Sequence, residues 1–234
     1  MTTPPVRIAY FTDLLCVWAY VAQIKVDELK RHFQDRIELD YHFLTLFGNT
    51  HTRLVEGWRE RGGIEAYGRH VQHIGRDFPH VEIHPQVWQR NRPHSSMGCH
   101  LFLKAVSLLE QDGLISPEPR PEWAGRSLFE ETIWRLRLAF FRDLQDIGRL
   151  DCQRAIAAQL DLPWEAIQER LENGAACAAF HTDLEIRERY GVRGSPTFIL
   201  NEGRQILYGN VGYKIIEANI HELLERPQDQ ASWC

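Results

Sequence analysis

The segment VRIAYFTDLLCVWAY, residues 6–20, contains the transition from which the fold is predicted. Its first part, Val6 to Phe11, is a short apolar run typical of a buried strand. Thr12-Asp13 favours a helix start, and helical periodicity continues from Cys16 to Phe33. Apolar residues then alternate from Ile37 to Leu46, which predicts a second strand. Strand, helix and strand in this order predict a βαβ unit with parallel strands.

The chain from about residue 48 to residue 182 contains helical patterns and no convincing strand pattern. The predicted helices are Ile64–Arg76, Ser95–Gln111, Leu128–Asp146, Cys152–Leu160, Pro163–Glu172 and Ala175–Tyr190. A succession of helices without repeats or strands indicates an all-helical region.

Strand patterns return near the end of the chain. Thr197–Leu200 and Gln205–Tyr208 are predicted strands, and Asn201-Glu202-Gly203 is typical of a hairpin turn between them. An amphipathic helix is predicted over Tyr213–Leu224, and the polar tail RPQDQASWC is expected to fray.

The order of elements is therefore βαβ, a helical block, and then ββα. The terminal ββα is too small to hold a core of its own, so we expect it to complete the first unit. The predicted division is one discontinuous α/β domain, residues 1–48 and 183–234, with a helical domain inserted at residues 49–182.

Composition excludes several classes of protein. The chain has 234 residues, of which 44% are hydrophobic and 25% charged, and its net charge is −5. These values are typical of a globular protein and not of a disordered, collagen-like or membrane-spanning chain. Without a run of Lys and Arg, a nucleic-acid partner has little electrostatic support. The N-terminus lacks the pattern of a secretory signal, so a reducing cytoplasm is the expected compartment.

The five cysteines do not form a recognisable framework. They are Cys16, Cys99, Cys152, Cys177 and Cys234. Their odd number and scattered spacing fit neither a set of disulfides nor a zinc ribbon. We therefore expect any important thiol to act by its reactivity.

Cys16 is the first candidate for such a thiol because it lies at the predicted start of a helix. Exposed backbone N–H groups and the helix dipole favour an anion there, so the position predicts a lowered thiol pKa. The thiolate is the nucleophilic form. The alternative interpretation is that Cys16 is a small buried hydrophobic residue.

Ser195-Pro196, directly before a predicted strand, is the second feature. A cis X-Pro bond at such a place would be a deliberate structural feature, whereas a trans proline at a strand start is the common case. The sequence does not distinguish the two isomers.

Three segments of the chain resemble a known family. FTDLLCVWAY resembles the active-site segment of DsbA-family thioredoxin-fold proteins, in which Cys-x-x-Cys opens the first helix. GVRGSPTFIL resembles that family's cis-proline loop, and FFRDLQDIGRLD its exit from the inserted helices. The resemblance implies an α/β thioredoxin-like fold with an inserted all-helical domain. The most similar branch is the cytoplasmic one that includes 2-hydroxychromene-2-carboxylate isomerase and kappa-class glutathione transferase.

The sequence departs from the family pattern at two positions. Ala19 stands where the redox members have their second, resolving cysteine, so a dithiol cycle is not expected. Cys16 stands where the isomerase and transferase branch usually has serine. The site is therefore monothiol, which implies glutathione as a co-substrate that completes the cycle.

The resemblance also implies roles for single residues. Cys16 would be the nucleophile or would activate the thiol of glutathione. The backbone of Ser195, before Pro196, would pair with glutathione or with an extended peptide. Trp18 would form a wall beside the thiol, and Asp13 would flank it. The resemblance thus implies that Trp18, Ser195, Pro196 and Asp13 bind the substrate or glutathione.

Several assignments at and near the site stay open. Asp13 is also a natural helix cap, and Tyr20 flanks the site on the other side. Arg92 or His94 could contact a carboxylate of the substrate. Cys99 could act as a remote resolving thiol, although a buried helix cysteine is the default.

The histidines between residues 70 and 84 are candidates for a metal site. His70, His73, His80 and His84 are close in sequence but share no standard ligand spacing, and histidines on a solvated helix face are the simpler interpretation. We therefore expect no metal.

Three functions are compatible with these observations. The first is a DsbA-like thiol–disulfide oxidoreductase that uses Cys16 with glutathione. The second is a glutathione-dependent isomerase or transferase acting on a small aromatic compound. The third is a non-catalytic thioredoxin-fold binding module. The expected partner is a small-molecule thiol or a substrate with a disulfide; no nucleic-acid or membrane partner is expected, and a homodimer is left open.

Overall fold

A computed structural model describes residues 4–226, so Cys234 and most of the polar tail lie outside the described residues. The sheet consists of β1 (Val6–Thr12), β2 (Ile37–Phe43), β3 (Thr197–Leu200) and β4 (Gln205–Tyr208) in the order β2-β1-β3-β4. β1 and β2 are parallel, whereas β3 is antiparallel to both β1 and β4. The βαβ unit and the C-terminal hairpin are confirmed.

Eight α-helices complete the fold within residues 4–226. They are α1 (Val17–Phe33), α2 (Gly63–Asp77), α3 (Met97–Gln111), α4 (Leu128–Phe141), α5 (Leu150–Gln159), α6 (Trp164–Glu172), α7 (Ala175–Arg189) and α8 (Tyr213–Glu225). Helix α1 joins the parallel strands β1 and β2. Helices α2 to α7 lie between β2 and β3 in the chain, as the helical patterns predicted.

The structure differs most from the prediction at the ends of two elements and in one additional element. β2 ends at Phe43 and not at Leu46, because the chain turns there towards the start of α1 and the Phe47 N–H donates to Asp13. Helix α4 ends at Phe141 and not at Asp146, because Leu144 adopts a positive φ of 54° that no α-helix continues through. A short π-helix, His51–Glu56, lies in a segment without a predicted element.

The central strand β1 connects the two sides of the core. Its Tyr10 ring meets Tyr41 of β2 edge to face at 5.5 Å and packs against Phe198 of β3 at 4.7 Å. Because β1 is the common neighbour, the end of β1 and the start of β3 lie side by side, which places Thr12 near Pro196. This arrangement brings together segments that are about 180 residues apart in the chain.

The carboxylate of Asp183 on α7 ties three elements together. Its Oδ1 accepts hydrogen bonds from His42 Nδ1 of β2 at 2.9 Å and from Lys104 Nζ of α3 at 3.0 Å. Its Oδ2 accepts from the Phe43 N–H at 2.9 Å. The predicted domain boundary between residues 182 and 183 falls inside α7, and the division into domains stays a prediction.

Replacing Asp183 by Ala should destabilise the protein strongly. Lys104 is 8% exposed, so its ammonium group would be left buried without a counter-charge. Loss of one member of a buried ion pair typically costs about 3–5 kcal/mol. Urea unfolding at pH 7 measures the change in the free energy of unfolding.

Asp151→Ala is the control, because Asp151 pairs with Arg149 at the surface and both side chains are more than half exposed. It should change the stability little. Equal losses in Asp183→Ala and Asp151→Ala would contradict the assigned role of Asp183.

Candidate functional site

Cys16 lies between the end of β1 and the start of α1, where it is the N-cap residue of the helix. Its thiol donates a hydrogen bond to the carbonyl oxygen of Ser195 at 3.2 Å. The residue is almost completely buried, with 4% of its surface exposed. The structure therefore brings Cys16 and the Ser195-Pro196 loop together, and their roles in chemistry stay predictions.

The Ser195-Pro196 peptide bond is cis, which the sequence could not determine. The loop is held from both sides of this bond. Ser195 Oγ accepts from the Asp13 N–H at 3.0 Å, and Thr197 Oγ1 donates to the Gly194 carbonyl at 2.8 Å. Backbone and side-chain bonds thus fix the Ser195 carbonyl against the sulfur.

Asp13 is not the cap of α1, contrary to one of the two expectations, because the helix begins only at Val17 and has no side-chain cap. The Asp13 carboxylate is fully buried and accepts three hydrogen bonds. Oδ1 accepts from the Leu15 N–H at 3.0 Å. Oδ2 accepts from the Phe47 N–H at 2.9 Å and from Ser96 Oγ at 2.8 Å. Asp13 therefore connects the turn before Cys16 with the loop after β2 and with the start of α3.

Burial raises the pKa of Asp13 to about 6, even though its hydrogen bonds to Phe47, Leu15 and Ser96 favour the ionised form. The carboxylate is therefore ionised at neutral pH and becomes protonated in mildly acidic solution.

His100 of α3 lies beside this carboxylate as a neutral ring. Its Nε2 accepts from the Leu14 N–H at 3.2 Å, so Nε2 carries no proton. Burial, reinforced by the nearby Arg137 guanidinium, lowers the pKa of His100 to about 3. The 3.8 Å between Nε2 and Asp13 Oδ1 is therefore not an ion pair at neutral pH.

The expectation of a lowered Cys16 pKa is wrong. Burial raises the pKa of the thiol, while the Ser195 hydroxyl and the N–H groups of Ala19 and Trp18 act in the opposite direction. The negative charge of Asp13 adds to the increase. A carbonyl acceptor also favours the protonated thiol. The start of a helix does not produce a thiolate when the sulfur is excluded from water.

Trp18 is the exposed aromatic residue beside this turn. It lies two residues after Cys16 and is 36% exposed, and its ring meets Phe78 edge to face at 6.2 Å. Tyr20 instead makes its contacts with the inserted helices: its hydroxyl donates to the Glu82 carbonyl at 3.0 Å and its ring stacks on Phe141 at 4.6 Å. Trp18 is thus available to a ligand, whereas Tyr20 holds α1 in place.

The weaker candidates near α3 have ordinary structural surroundings. Arg92 Nε donates to the carbonyls of Trp88 and Gln89, and its guanidinium lies 3.7 Å from Glu65. His94 is exposed. Cys99 is fully buried, and its thiol donates to the Ser96 carbonyl at 3.0 Å, as in a buried helix cysteine.

Of the four histidines considered for a metal, His70, His80 and His84 contact different parts of the protein. His80 bonds to the Val21 carbonyl at 2.9 Å, and His84 Nδ1 accepts from the Gln86 N–H at 3.1 Å. His70 packs against Trp58 with ring centroids 5.5 Å apart. Among the described residues these four histidines form no group of converging ligand atoms.

Sequence reasoning missed the residues that support the site. Ser96 and His100 both face Asp13, and their spacing of four residues on a helix could have indicated a shared polar face. Arg53 was also missed. It is exposed, its guanidinium lies 4.7 Å from the centre of the Phe47 ring, and its charge lowers the pKa of Asp13.

A cavity of about 950 Å³ lies away from Cys16, between the end of α1, the outer edge of β2 and α3. Lys30, Tyr41, Lys104, Glu110 and Phe129 are among its lining residues. None of the residues around the Cys16 thiol lines it, so the cavity contributes nothing to this site. In the part of the chain from residue 4 to residue 226, no helix is long and apolar enough to cross a membrane.

The Cys16 thiol should titrate above the value of about 8.5 for a free thiol. Because burial disfavours the thiolate, alkylation by iodoacetamide should accelerate only as the solution becomes alkaline. Peptide-level mass spectrometry of the native protein measures the pH profile, and the exposed Cys177 in the same sample is the internal reference. A midpoint of Cys16 labelling clearly below 8 would contradict the assignment.

His100 should make the protein less stable in acid. Its pKa in the folded state lies below that in the unfolded state, so unfolding takes up a proton and stability is lost as the pH falls below about 6.5. Between pH 7 and pH 5 this contribution is about 2 kcal/mol. His100→Gln lacks it and keeps an acceptor for the Leu14 N–H.

Urea unfolding of both proteins at the two pH values tests this expectation. The destabilisation caused by His100→Gln should shrink by about 2 kcal/mol from pH 7 to pH 5. The same destabilisation at both pH values would show that His100 is not held neutral by the fold.

Comparison with known proteins gives a fold but no sequence family. No family model matches the chain, and no curated protein matches it. A candidate protein disulfide isomerase from Nitrosomonas europaea is 14% identical with a TM-score of 0.73, over 94% of this chain and 98% of that one. The cytosolic disulfide reductase DsbM from Pseudomonas aeruginosa is 18% identical with a TM-score of 0.63, over 92% and 98%. A second structure of DsbM contains GSH, glutathione.

A third solved structure, 2-hydroxychromene-2-carboxylate isomerase, is 12% identical with a TM-score of 0.61, over 97% of this chain and all of that one. These similarities extend over nearly the whole length of each protein. The chain therefore has a thioredoxin-like fold, in which the inserted helices α2 to α7 lie between β2 and β3.

Proposed function

We propose that the protein is a thiol–disulfide oxidoreductase that reduces its substrate through the single thiol of Cys16, with glutathione as co-substrate. The observation that carries the proposal is the contact of 3.2 Å between Cys16 Sγ and the Ser195 carbonyl, next to the cis bond to Pro196. Ala19 lies one helical turn away, where a second cysteine would be needed for a dithiol cycle. A disulfide formed on Cys16 therefore requires an external thiol for its release.

The surroundings of the sulfur favour reduction over oxidation. In a strongly oxidising site the reduced form is stabilised as a thiolate. The disulfide of such a site is therefore readily reduced by a substrate thiol, which becomes oxidised. Cys16 has the opposite environment, because it is buried and its thiol donates to a carbonyl. The reduced form of Cys16 is therefore not stabilised as a thiolate, and a mixed disulfide on Cys16 is harder to reduce than that of an oxidising site.

The proposed cycle has two exchange steps. In the first, Cys16 loses its thiol proton to solvent, and the resulting thiolate attacks the glutathione sulfur of a glutathionylated substrate. The Cys16–glutathione disulfide forms, the substrate S–S bond breaks, and the substrate leaves as a thiolate that takes up a proton. In the second, the thiolate of another glutathione attacks this mixed disulfide, which releases oxidised glutathione and regenerates Cys16. The net reaction converts one glutathionylated substrate and one glutathione into the substrate thiol and one oxidised glutathione. The sulfur of the added glutathione is oxidised, and the substrate sulfur is reduced.

Three groups around Cys16 are suited to glutathione. The Ser195 backbone beside Pro196 offers hydrogen-bonding groups to an extended γ-glutamylcysteine unit, and Trp18 offers an exposed apolar face. The Arg53 guanidinium is exposed and pairs with no carboxylate in the described ranges, so it can meet a glutathione carboxylate. Because Asp13 is fully buried, we assign it to holding the turn before Cys16 and not to contact with the substrate.

The compartment we propose is the cytoplasm. All four cysteines within residues 4–226, namely Cys16, Cys99, Cys152 and Cys177, are free thiols, as is usual under reducing conditions. The fold neighbour DsbM is cytosolic. Glutathione is abundant as a reductant in such a compartment, which supports its use as co-substrate.

A glutathione-dependent isomerase or transferase is the second candidate. It is favoured by the low acidity of the buried thiol, which suits a group that binds the glutathione sulfur rather than attacks a disulfide. The exposed Trp18 ring would then pack against an aromatic substrate. Turnover of an aromatic compound that depends on glutathione, without reduction of disulfides, would identify this activity.

Replacing Cys16 by Ser should abolish reduction of a glutathionylated peptide in the presence of glutathione and glutathione reductase. Serine cannot form the mixed disulfide, so the rate should fall to that of the protein-free reaction. NADPH consumption measures the rate. Cys177→Ser is the matched control and should retain the full rate, because Cys177 is exposed on α7. An unchanged rate in Cys16→Ser would exclude the proposed mechanism.

A further inference from the structure

Three side chains with metal-binding groups converge where the end of α1 meets α8. These are His32, Glu217 and His221, which we call the α1–α8 cluster. One ligand atom from each, an imidazole nitrogen or a carboxylate oxygen, lies within 4.8 Å of the other two. His32 Nδ1 is 3.1 Å from Glu217 Oε1, and the two imidazole centroids are 6.0 Å apart. It is the only such group of three in the portion of the chain that the structure describes.

Helix geometry produces this convergence. Glu217 and His221 are four residues apart on α8, so their side chains are neighbours on one helix face. The buried Ile220 fixes the rotation of α8 about its axis. His32 comes from the last turn of α1 and faces them. All three ligands thus stand on regular helices that are packed in the core, so the site is largely preformed.

The ring of Phe33 orders both imidazoles. It stacks on His32 with centroids 4.6 Å apart and meets His221 edge to face at 5.1 Å. Phe33 itself is 1% exposed. Two histidines held against a buried aromatic ring lose little further freedom when they bind an ion.

Two imidazoles and one carboxylate are a donor set that suits Zn²⁺. With metal–ligand distances of about 2.1 Å, a tetrahedral ion needs donor atoms about 3.4 Å apart, so side-chain shifts of about an ångström suffice. His32 is 37% exposed, which leaves one side open for a water molecule as the fourth ligand.

The competing contacts at the cluster are weak. Glu217 Oε2 accepts from Lys214 Nζ at 2.6 Å, but the Lys214 side chain is 82% exposed and can turn into solvent. The Tyr213 hydroxyl lies 2.9 Å from His32 Nδ1 and can instead bond to water or approach the ion.

We propose that His32, Glu217 and His221 bind a divalent ion of the Zn²⁺ class and that this ion clamps α8 to the end of α1. Cys16 lies at the other end of α1, about 24 Å away along the helix axis. The ion would therefore act on the packing of the C-terminal helix and not on the thiol chemistry.

Calorimetric titration with Zn²⁺ tests the site on the full, tag-free chain after treatment with a chelator, in a phosphine reductant. We expect one ion per chain at this site. His32→Ala, His221→Ala and Glu217→Gln should each weaken binding at least about tenfold. His181→Ala is the matched control. His181 and Glu185 have the same four-residue spacing on the surface of α7, and within residues 4–226 no third ligand converges on them, so loss of His181 should leave the affinity unchanged.

A second readout separates lost ligands from lost structure. Zn²⁺ should raise the melting temperature of the unmodified protein and of His181→Ala but not that of the three cluster variants. Circular dichroism without metal checks that each variant is folded, and His221→Gln replaces His221→Ala if that variant unfolds.

Absence of Zn²⁺ binding would overturn the proposal. Undiminished affinity in the folded cluster variants would overturn it as well. Binding that is lost only when the thiols are blocked would assign the ion to cysteines and would also contradict the proposal. Neither result would bear on the proposed reaction of Cys16.

Discussion

The buried carboxylate of Asp13 holds together the segments that form the candidate site. Its three hydrogen-bond donors come from the turn before α1, the loop after β2 and the start of α3. The Asp13 N–H adds a fourth connection, to the hydroxyl of Ser195. Burying this carboxylate is unfavourable, as its raised pKa of about 6 indicates, and the hydrogen bonds offset that cost. Without them the turn before Cys16 would lose its polar links to the loop after β2 and to Ser96 at the start of α3.

The burial of this turn also determines whether the Cys16 sulfur is protonated. A helix N-terminus favours an anion by about 0.3–1 kcal/mol, whereas full burial can shift a pKa by several units. At Cys16 burial is the larger effect, and the Ser195 carbonyl provides an acceptor for the thiol proton. A buried, protonated thiol is protected from non-specific oxidation. When it does form a disulfide, Cys16 is a poor leaving group, so the disulfide is not easily broken. Both properties suit a reductant better than an oxidant.

The sequence was sufficient for the order of elements, because strand and helix patterns depend on local spacing. The strand at Val6 and the hairpin after Leu200 follow from such patterns. The pKa of Cys16 could not be predicted in the same way, because its burial depends on residues far away in the chain, such as Ser195. The sequence identifies Asp13 as a candidate helix cap or binding residue, but it does not indicate which groups donate to its carboxylate. Its donors Phe47 and Ser96 are 34 and 83 residues away, and no local pattern connects them.

The equilibrium between Cys16 and glutathione tests the central claim most directly. The protein would be equilibrated in buffers with a range of ratios of reduced to oxidised glutathione, quenched with acid, and analysed by peptide mass spectrometry. If burial of the thiol makes Cys16 a reductant, its glutathione adduct should be as resistant to reduction as the adduct on the exposed Cys177, or more so. The Cys16 adduct should then still be present at ratios of reduced to oxidised glutathione that remove the adduct from Cys177. An adduct that appears on Cys16 only under much more oxidising conditions than on Cys177 would contradict this account of the site.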